Sequence, residues 1–253
     1  MRSALEIAQC ALSEIPGWER AKLSPIQGGQ TSDAWLAESG ARRAVLKADA
    51  KIRSLPFRDR NSEAGIQRVA AHHGLAGKVL YSSATVLLSD YIAGASWGRE
   101  ELAQDDNLEE LGQTLSRVHA LPLTGVRFDA PAAARFYASR ITRDVDRALV
   151  QKHVDTVCQT ELPAELCCCH NDLVAENMVS TPSLKFLDWE YAADNDPLFD
   201  IAIVVAHHDL NNPQTMRLLS AWCESDGRVF LEPLQLQIDM YRSLCWLWRA
   251  ARS

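Results

Sequence analysis

Two short polar blocks constrain this chain more than any other feature. They are Cys169-His170-Asn171-Asp172-Leu173-Val174-Ala175-Glu176-Asn177 and Phe186-Leu187-Asp188-Trp189-Glu190-Tyr191. Asp172 stands two residues after His170 and five before Asn177, and Asp188 ends an apolar strand pattern. Ser180-Thr181-Pro182-Ser183 reads as the turn between them. The spacing places two carboxylates and an amide on one hairpin. Oxygen donors of this kind suit Mg2+, a hard ion that keeps waters and bridges to substrate phosphates. Phosphoryl transfer needs positioning and charge neutralisation, and an alcohol nucleophile needs an acceptor for its proton, which an Asp supplies. Turn-capping Asp and Asn residues explain either block alone. They do not explain both blocks together with Pro197-Leu198-Phe199-Asp200.

The rest of the chain reads as an α+β protein with a small sheet lobe and a mainly helical lobe. Leu5 to Ile15 has helical spacing and stops at Pro16-Gly17. Trp35-Leu36-Ala37, a turn at Glu38-Ser39-Gly40, and Ala44-Val45-Leu46-Lys47 predict a hairpin. Asn61 to His73 predicts a helix ending at Gly74, and Val79–Tyr81 and Thr85–Leu88 predict two more strands. Beyond Gly94 the pattern turns helical: Leu108, Leu111, Leu115 and Val118 share one helix face, and Ala132 to about Val157 reads as a second helical stretch. Helices dominate again from Pro197. The expected division is a β-rich lobe over residues 1–90 and a helical lobe over 91–253, joined near Ser89–Gly94. Clefts between lobes are favoured ligand sites.

His170-x-Asp172, Asn177 and Asp188-Trp189-Glu190-Tyr191-Ala192, with Asn195-Asp196-Pro197-Leu198-Phe199-Asp200 behind them, resemble the choline/ethanolamine kinase family. That family lies within the aminoglycoside phosphotransferase and protein-kinase-like superfamily. Bacterial choline kinases and thiamine kinases carry similar strings. The resemblance implies a protein-kinase-like two-lobe fold, with ATP and Mg2+ as cofactors. It implies that Asp172 is the catalytic base, that Asn177 and Asp188 hold Mg2+, that His170 braces the loop, and that Asp200 hydrogen-bonds it. Gln27-Gly28-Gly29-Gln30-Thr31-Ser32 resembles the family's phosphate-covering turn, with Ser32-Asp33 departing from the usual Asn. Glycine there lets backbone N–H groups approach a phosphate. Lys47 resembles the strand-borne kinase lysine, and Glu63 on the following helix is its natural ion-pair partner. Asp90 and Ile92 fall in the interlobe segment whose main chain would read adenine. His119, in Arg117-Val118-His119-Ala120-Leu121-Pro122, reads as structural.

The implied acceptor is a small cationic alcohol. Aromatic faces and carboxylates hold such cations, and Glu190, Tyr191, Tyr241 and Trp246 are the candidate contacts. Trp246 and Trp248 are two apart, so on a helix they point about 200° apart and cannot line one pocket. Thiamine is also a cationic primary alcohol, and aminoglycosides and amino sugars are further alternatives. A nucleotide-binding module without catalysis is the non-enzyme alternative. Its weakness is that Lys47, Asp172, Asn177 and Asp188 are all present. A metal-dependent hydrolase is disfavoured because few His residues lie near the blocks.

Composition excludes other classes. The 253 residues are 47% hydrophobic and carry a formal charge of −7, with no basic stripe to bind nucleic acid. The apolar run Ile201–Ala206 is far short of the ~20 residues a membrane helix needs. Seven cysteines, an odd number without framework spacing, point to a reducing cytoplasm. Three of them, Cys167-Cys168-Cys169, are consecutive. Neighbours on a strand alternate faces, so the run reads as small buried hydrophobes rather than a metal cluster.

Overall fold

The computed structural model describes residues 2–26, 33–52, 59–142, 146–161, 163 and 165–252. The chain divides into two compact units, residues 1–95 with 181–190, and residues 96–180 with 191–253.

The first unit begins with helix α1 (Ala4–Glu14). Ser3 caps it: the Ser3 hydroxyl accepts from the Glu6 N–H at 3.2 Å, and the Glu6 carboxylate accepts from the Ser3 N–H at 2.7 Å. Strands β1 (Lys22–Pro25), β2 (Asp33–Ser39) and β3 (Arg42–Ala48) follow. After them come α2 (Arg60–His72), β4 (Val79–Ser82) and β5 (Val86–Asp90). The sheet order is β1-β2-β3-β5-β4, antiparallel throughout. Ser39 pairs with Arg42, leaving Gly40-Ala41 as a two-residue turn, and Gly40 has the positive φ of 62° such turns require. Ala44, Leu46 and Ala48 of β3 are buried in a core with Ala4, Ala8 and Leu12 of α1. Leu46 is fully buried and contributes roughly 1.5–3 kcal/mol by leaving water. Period-two alternation therefore sends Lys47 to the opposite face. Strand β1 carries no strong β pattern and was not expected from the sequence.

A two-residue strand, β6 (Ala95–Ser96), leads into the second unit. Helix α3 (Asp105–His119) buries Leu108, Leu111, Leu115 and Val118 completely, the face expected from their spacing. The expected single helix from Ala132 to Val157 is instead two, α4 (Ala130–Arg140) and α5 (Arg147–Gln159). The chain turns extended at Ile141, and Asp146 caps α5 through a hydrogen bond from the Ala148 N–H. Then come β7 (Cys167–Cys169), β8 (Met178–Thr181), β9 (Ser183–Phe186) and β10 (Ala193–Asn195). The unit boundary passes between Ser180 and Thr181, so β9 belongs to the first unit. Helices α6 (Pro197–His208), α7 (Asn212–Cys223) and α8 (Leu231–Arg252) complete the second unit. Gly112 of α3 lets α7 approach closely, since a Cβ there would lie 2.7 Å from the Ala221 Cβ and 2.8 Å from the Leu218 carbonyl. Among the described residues, no helix is long and apolar enough to cross a membrane.

Candidate active site

The first unit gathers an ion network on the face of β3 that carries Lys47. Asp59 caps α2 by accepting from the Asn61 and Ser62 N–H groups, which puts Arg60 and Glu63 in the first helical turn. Lys47 Nζ lies 2.7 Å from Glu63 Oε1, the pairing expected from the sequence, and 2.7 Å from Asp188 Oδ1. Arg60 is fully buried. It forks onto both oxygens of Asp49 at 2.6 and 3.2 Å, and meets Glu63 at 2.5 Å and Glu190 at 3.4 Å. Phe186 donates its N–H to the Leu75 carbonyl, and the buried Trp189 indole donates to the Phe186 carbonyl at 3.1 Å. These bonds anchor the turn on which Asp188 adopts a left-handed φ of 59°, a conformation Asp tolerates better than most residues.

Electrostatics follow from this crowding. Burial works against the Lys47 ammonium, but Asp188, Glu63 and Glu190 outweigh it and hold its pKa above that of an ordinary lysine. Burial raises the Asp188 carboxyl above the usual range. Lys47 pulls it down, and the Glu190 and Glu63 charges push it further up. Burial opposes the Arg60 charge too, and Glu63 and Asp49 more than restore it. Among the described residues, four carboxylates (Asp49, Glu63, Asp188, Glu190) surround two cations. A divalent cation complements such an excess.

The second unit holds the loop that carries Asp172. Strand β7 pairs antiparallel with β10, Cys169 opposite Ala193. The fully buried Asp200, in the first turn of α6, accepts from the His170 N–H at 2.9 Å and the Asn171 N–H at 2.7 Å. His119 Nε2 contacts the same carboxylate at 3.1 Å, and the Trp222 indole N–H donates to His119 Nδ1 at 2.9 Å. With Nδ1 accepting, the ring proton is on Nε2 and donates to Asp200. Asn171 takes a left-handed φ of 63°, and its amide donates to the Tyr191 carbonyl at 3.1 Å. The chain therefore turns outward at Asp172, which is half-buried. Asn177 Nδ2 donates to the Asp172 carbonyl at 2.8 Å and to Asp172 Oδ2 at 3.0 Å. Those two bonds fix the amide's orientation and set Oδ1 as its acceptor atom. His170 is buried behind the loop. His208 is buried as well. Its desolvation, with the His207 charge adding, lowers its pKa to about 4 against a bond to Leu173.

The remaining sequence candidates distribute as follows. Gly28, Gly29, Thr31 and Ser32 lie outside the described residues. Asp90 donates its N–H to the Lys78 carbonyl within the sheet, and Ile92 is half-buried beside Gly77. Glu190, a candidate acceptor contact, is 2% exposed and packed against Arg60. Burial of Arg60 demands carboxylate partners, and Glu190 serves as one. Trp246, also expected to contact an acceptor, stacks on His153 of α5 with ring centroids 4.3 Å apart. Tyr241 packs edge-on against Phe199. Burial, then Cys245, then the Asp172 charge raise the Tyr241 pKa. So Tyr241 and Cys245, one turn apart on α8, lie within electrostatic range of Asp172. Tyr191 is half-buried. Sequence reasoning missed Arg60, Asp49 and Cys245. Nothing in the sequence separates Arg60 from the charged run around it.

Comparison with known proteins bears on the fold and the family. A 69-residue stretch is 41% identical to Protein LicA of Haemophilus influenzae, covering 27% of this chain and 26% of that protein. The match thus spans about a quarter of that curated relative's length. The choline kinase LicA structure from Streptococcus pneumoniae superposes with a TM-score of 0.79 at 21% identity, covering 98% of this chain and 90% of that one. A structure of LicA in complex with AMP gives 0.80 at 20% identity, covering 98% and 89%. The fold is therefore the protein-kinase-like one, a small antiparallel sheet lobe plus a mainly helical lobe. Residues 22–236 match the Phosphotransferase enzyme family, and the chain belongs to it.

Proposed function

We propose that this protein is an ATP- and Mg2+-dependent kinase that phosphorylates the hydroxyl of a small cationic amine alcohol of the choline or ethanolamine type. The observation that carries this reading is the half-buried Asp172 carboxylate, held by Asn177 on a loop clamped from behind by Asp200. The structure of LicA with AMP supports a nucleotide partner, and the choline kinase likeness supports the acceptor class. Residues 1–90 would serve nucleotide binding, and residues 91–253 catalysis and acceptor binding. The cytoplasm is the proposed location, in keeping with seven free cysteines.

In this mechanism the acceptor oxygen bonds to the γ-phosphorus as the bond to the β,γ-bridging oxygen breaks, and ADP leaves. Asp172 takes the hydroxyl proton. Lys47 orients the nucleotide phosphates and is itself aligned by Glu63. Asn177 and Asp188 would hold Mg2+, and their hard oxygen donors and the surrounding carboxylate excess fit that ion. Magnesium, when bound, supplies charge neutralisation on the phosphates. Tyr191 and Tyr241 are the proposed acceptor contacts.

The test is an ADP-release screen with choline, ethanolamine, thiamine, amino sugars and aminoglycosides. Choline or ethanolamine should give the highest kcat/KM. Faster turnover of thiamine or an aminoglycoside would reassign the acceptor. Nucleotide binding without turnover of any acceptor would overturn the kinase reading in favour of a non-catalytic module.

A further inference from the structure

Strand β7 carries a second cluster, separate from the magnesium ligands. Cys167 and Cys169 are two apart on the strand, so they share a face while Cys168 turns away. Their sulfurs lie 3.6 Å apart. A ring nitrogen of His119 completes a trio whose ligand atoms all fall within 4.8 Å of one another. A tetrahedral ion with Zn–S bonds of about 2.3 Å holds two sulfurs about 3.8 Å apart. The thiols are therefore spaced for one ion without strand movement.

We propose that Cys167, Cys169 and His119 form a site for a soft divalent cation of the zinc class, and that its occupation loosens the clamp on the catalytic loop. Without metal both sulfurs are thiols. They lie 3.6–3.9 Å from the Asn195 carbonyl, and the Cys169 thiol is also 3.6 Å from that of Asp196. Burial, followed by Cys167 and the Asp200 charge, keeps Cys169 protonated. Metal entry forms two metal–sulfur bonds and one metal–nitrogen bond, and the two thiol protons pass to solvent. His119 now uses both ring nitrogens, one toward Trp222 and one toward Asp200. A metal at Nε2 takes the place of Asp200 there and moves the ring proton to Nδ1, so the bonds to Asp200 and from Trp222 are both given up. Asp200 holds the His170 and Asn171 amides, so the change reaches the residues flanking Asp172.

The experiment titrates the full chain with Cd2+, a spectroscopic substitute for Zn2+, and compares it with Cys167→Ser. Cys167 is only partly buried, so the variant should fold. The wild type should bind one Cd2+ per chain with a thiolate-to-cadmium absorption band. Cys167→Ser should weaken that affinity by more than the 10–100-fold typical of losing an outer-sphere partner. No band, or an equal band in the variant, overturns the site. A second arm measures Zn2+ inhibition of phosphoryl transfer at saturating Mg2+. Wild type should be inhibited and Cys167→Ser resistant, with basal turnover unchanged. Equal inhibition of both chains would mean that zinc acts at the nucleotide metal instead, and would overturn the coupling to the loop.

Discussion

The Lys47 network and the Asp172 loop solve the same problem, holding carboxylates in place, by opposite means. Around Lys47 charge holds charge: the buried Arg60 and the half-buried Lys47 bind four carboxylates. Around Asp172 the work falls to backbone amides and one side-chain amide. A charge network is strong only while every partner is present, because a buried ion left alone is costly. The donors around Asp172 are amides whose positions the chain path fixes, so no neighbouring cation is needed to hold the loop. The difference teaches that the first region depends on each of its charges, whereas the second presents one carboxylate held by amides.

The sharpest way to break the comparison is to remove that carboxylate. Asp172→Ala should lower kcat about 10²–10⁴-fold, the range of general-base catalysis, while nucleotide affinity stays within a few-fold. Unchanged turnover would remove Asp172 from the mechanism.

Arg60→Leu attacks the other region. It removes the cation shared by Asp49, Glu63 and Glu190, with Glu63 keeping Lys47, and should destabilise the fold by about 3–5 kcal/mol. Urea unfolding measures this. A loss below ~1 kcal/mol would show that the network is not held by charge.

His208 is a titrating group on the helix behind the loop region. Its folded pKa of about 4 lies below the ordinary 6.5. Its contribution is therefore present above pH 6.5 and is lost as pH falls toward 4. Between pH 7 and pH 5 the loss should be about 2 kcal/mol, and His208→Phe should flatten that slope. An unchanged slope in the variant would place the titration elsewhere.

Lys47→Met sharpens the contrast at smaller scale. Lys47 lowers the Asp188 pKa against burial and two neighbouring glutamates. Its loss should move the acid limb of the pH–rate profile upward, in addition to raising KM for ATP. Such a shift should be absent in Trp222→Phe. That change removes only the indole donor to His119, with a stability cost of about 1 kcal/mol.

How much of this was legible beforehand varies with the kind of interaction. Lys47 and Glu63 could be paired in advance because strand alternation and a capped helix start fix each side chain's direction locally. The face of α3 was readable from its period for the same reason. The burial of Glu190 against Arg60 was not legible from its place next to Asp188. Its burial depends on Arg60, which is distant in sequence. The break between α4 and α5 was missed because apolar periodicity runs on across it, and the separation comes from how each helix packs on α8.

From the order of its residues alone, this chain determined the starts of α1, α2 and α6, the alternation of β2 and β3 and the spacing of Asp172, Asn177 and Asp188, because these follow from backbone geometry within a few residues. Tertiary structure alone decided that Arg60 would be buried among acids, that Glu190 would serve it, and that Cys167, Cys169 and His119 would meet. Each of those depends on desolvation, and desolvation is set by which distant segments exclude the water.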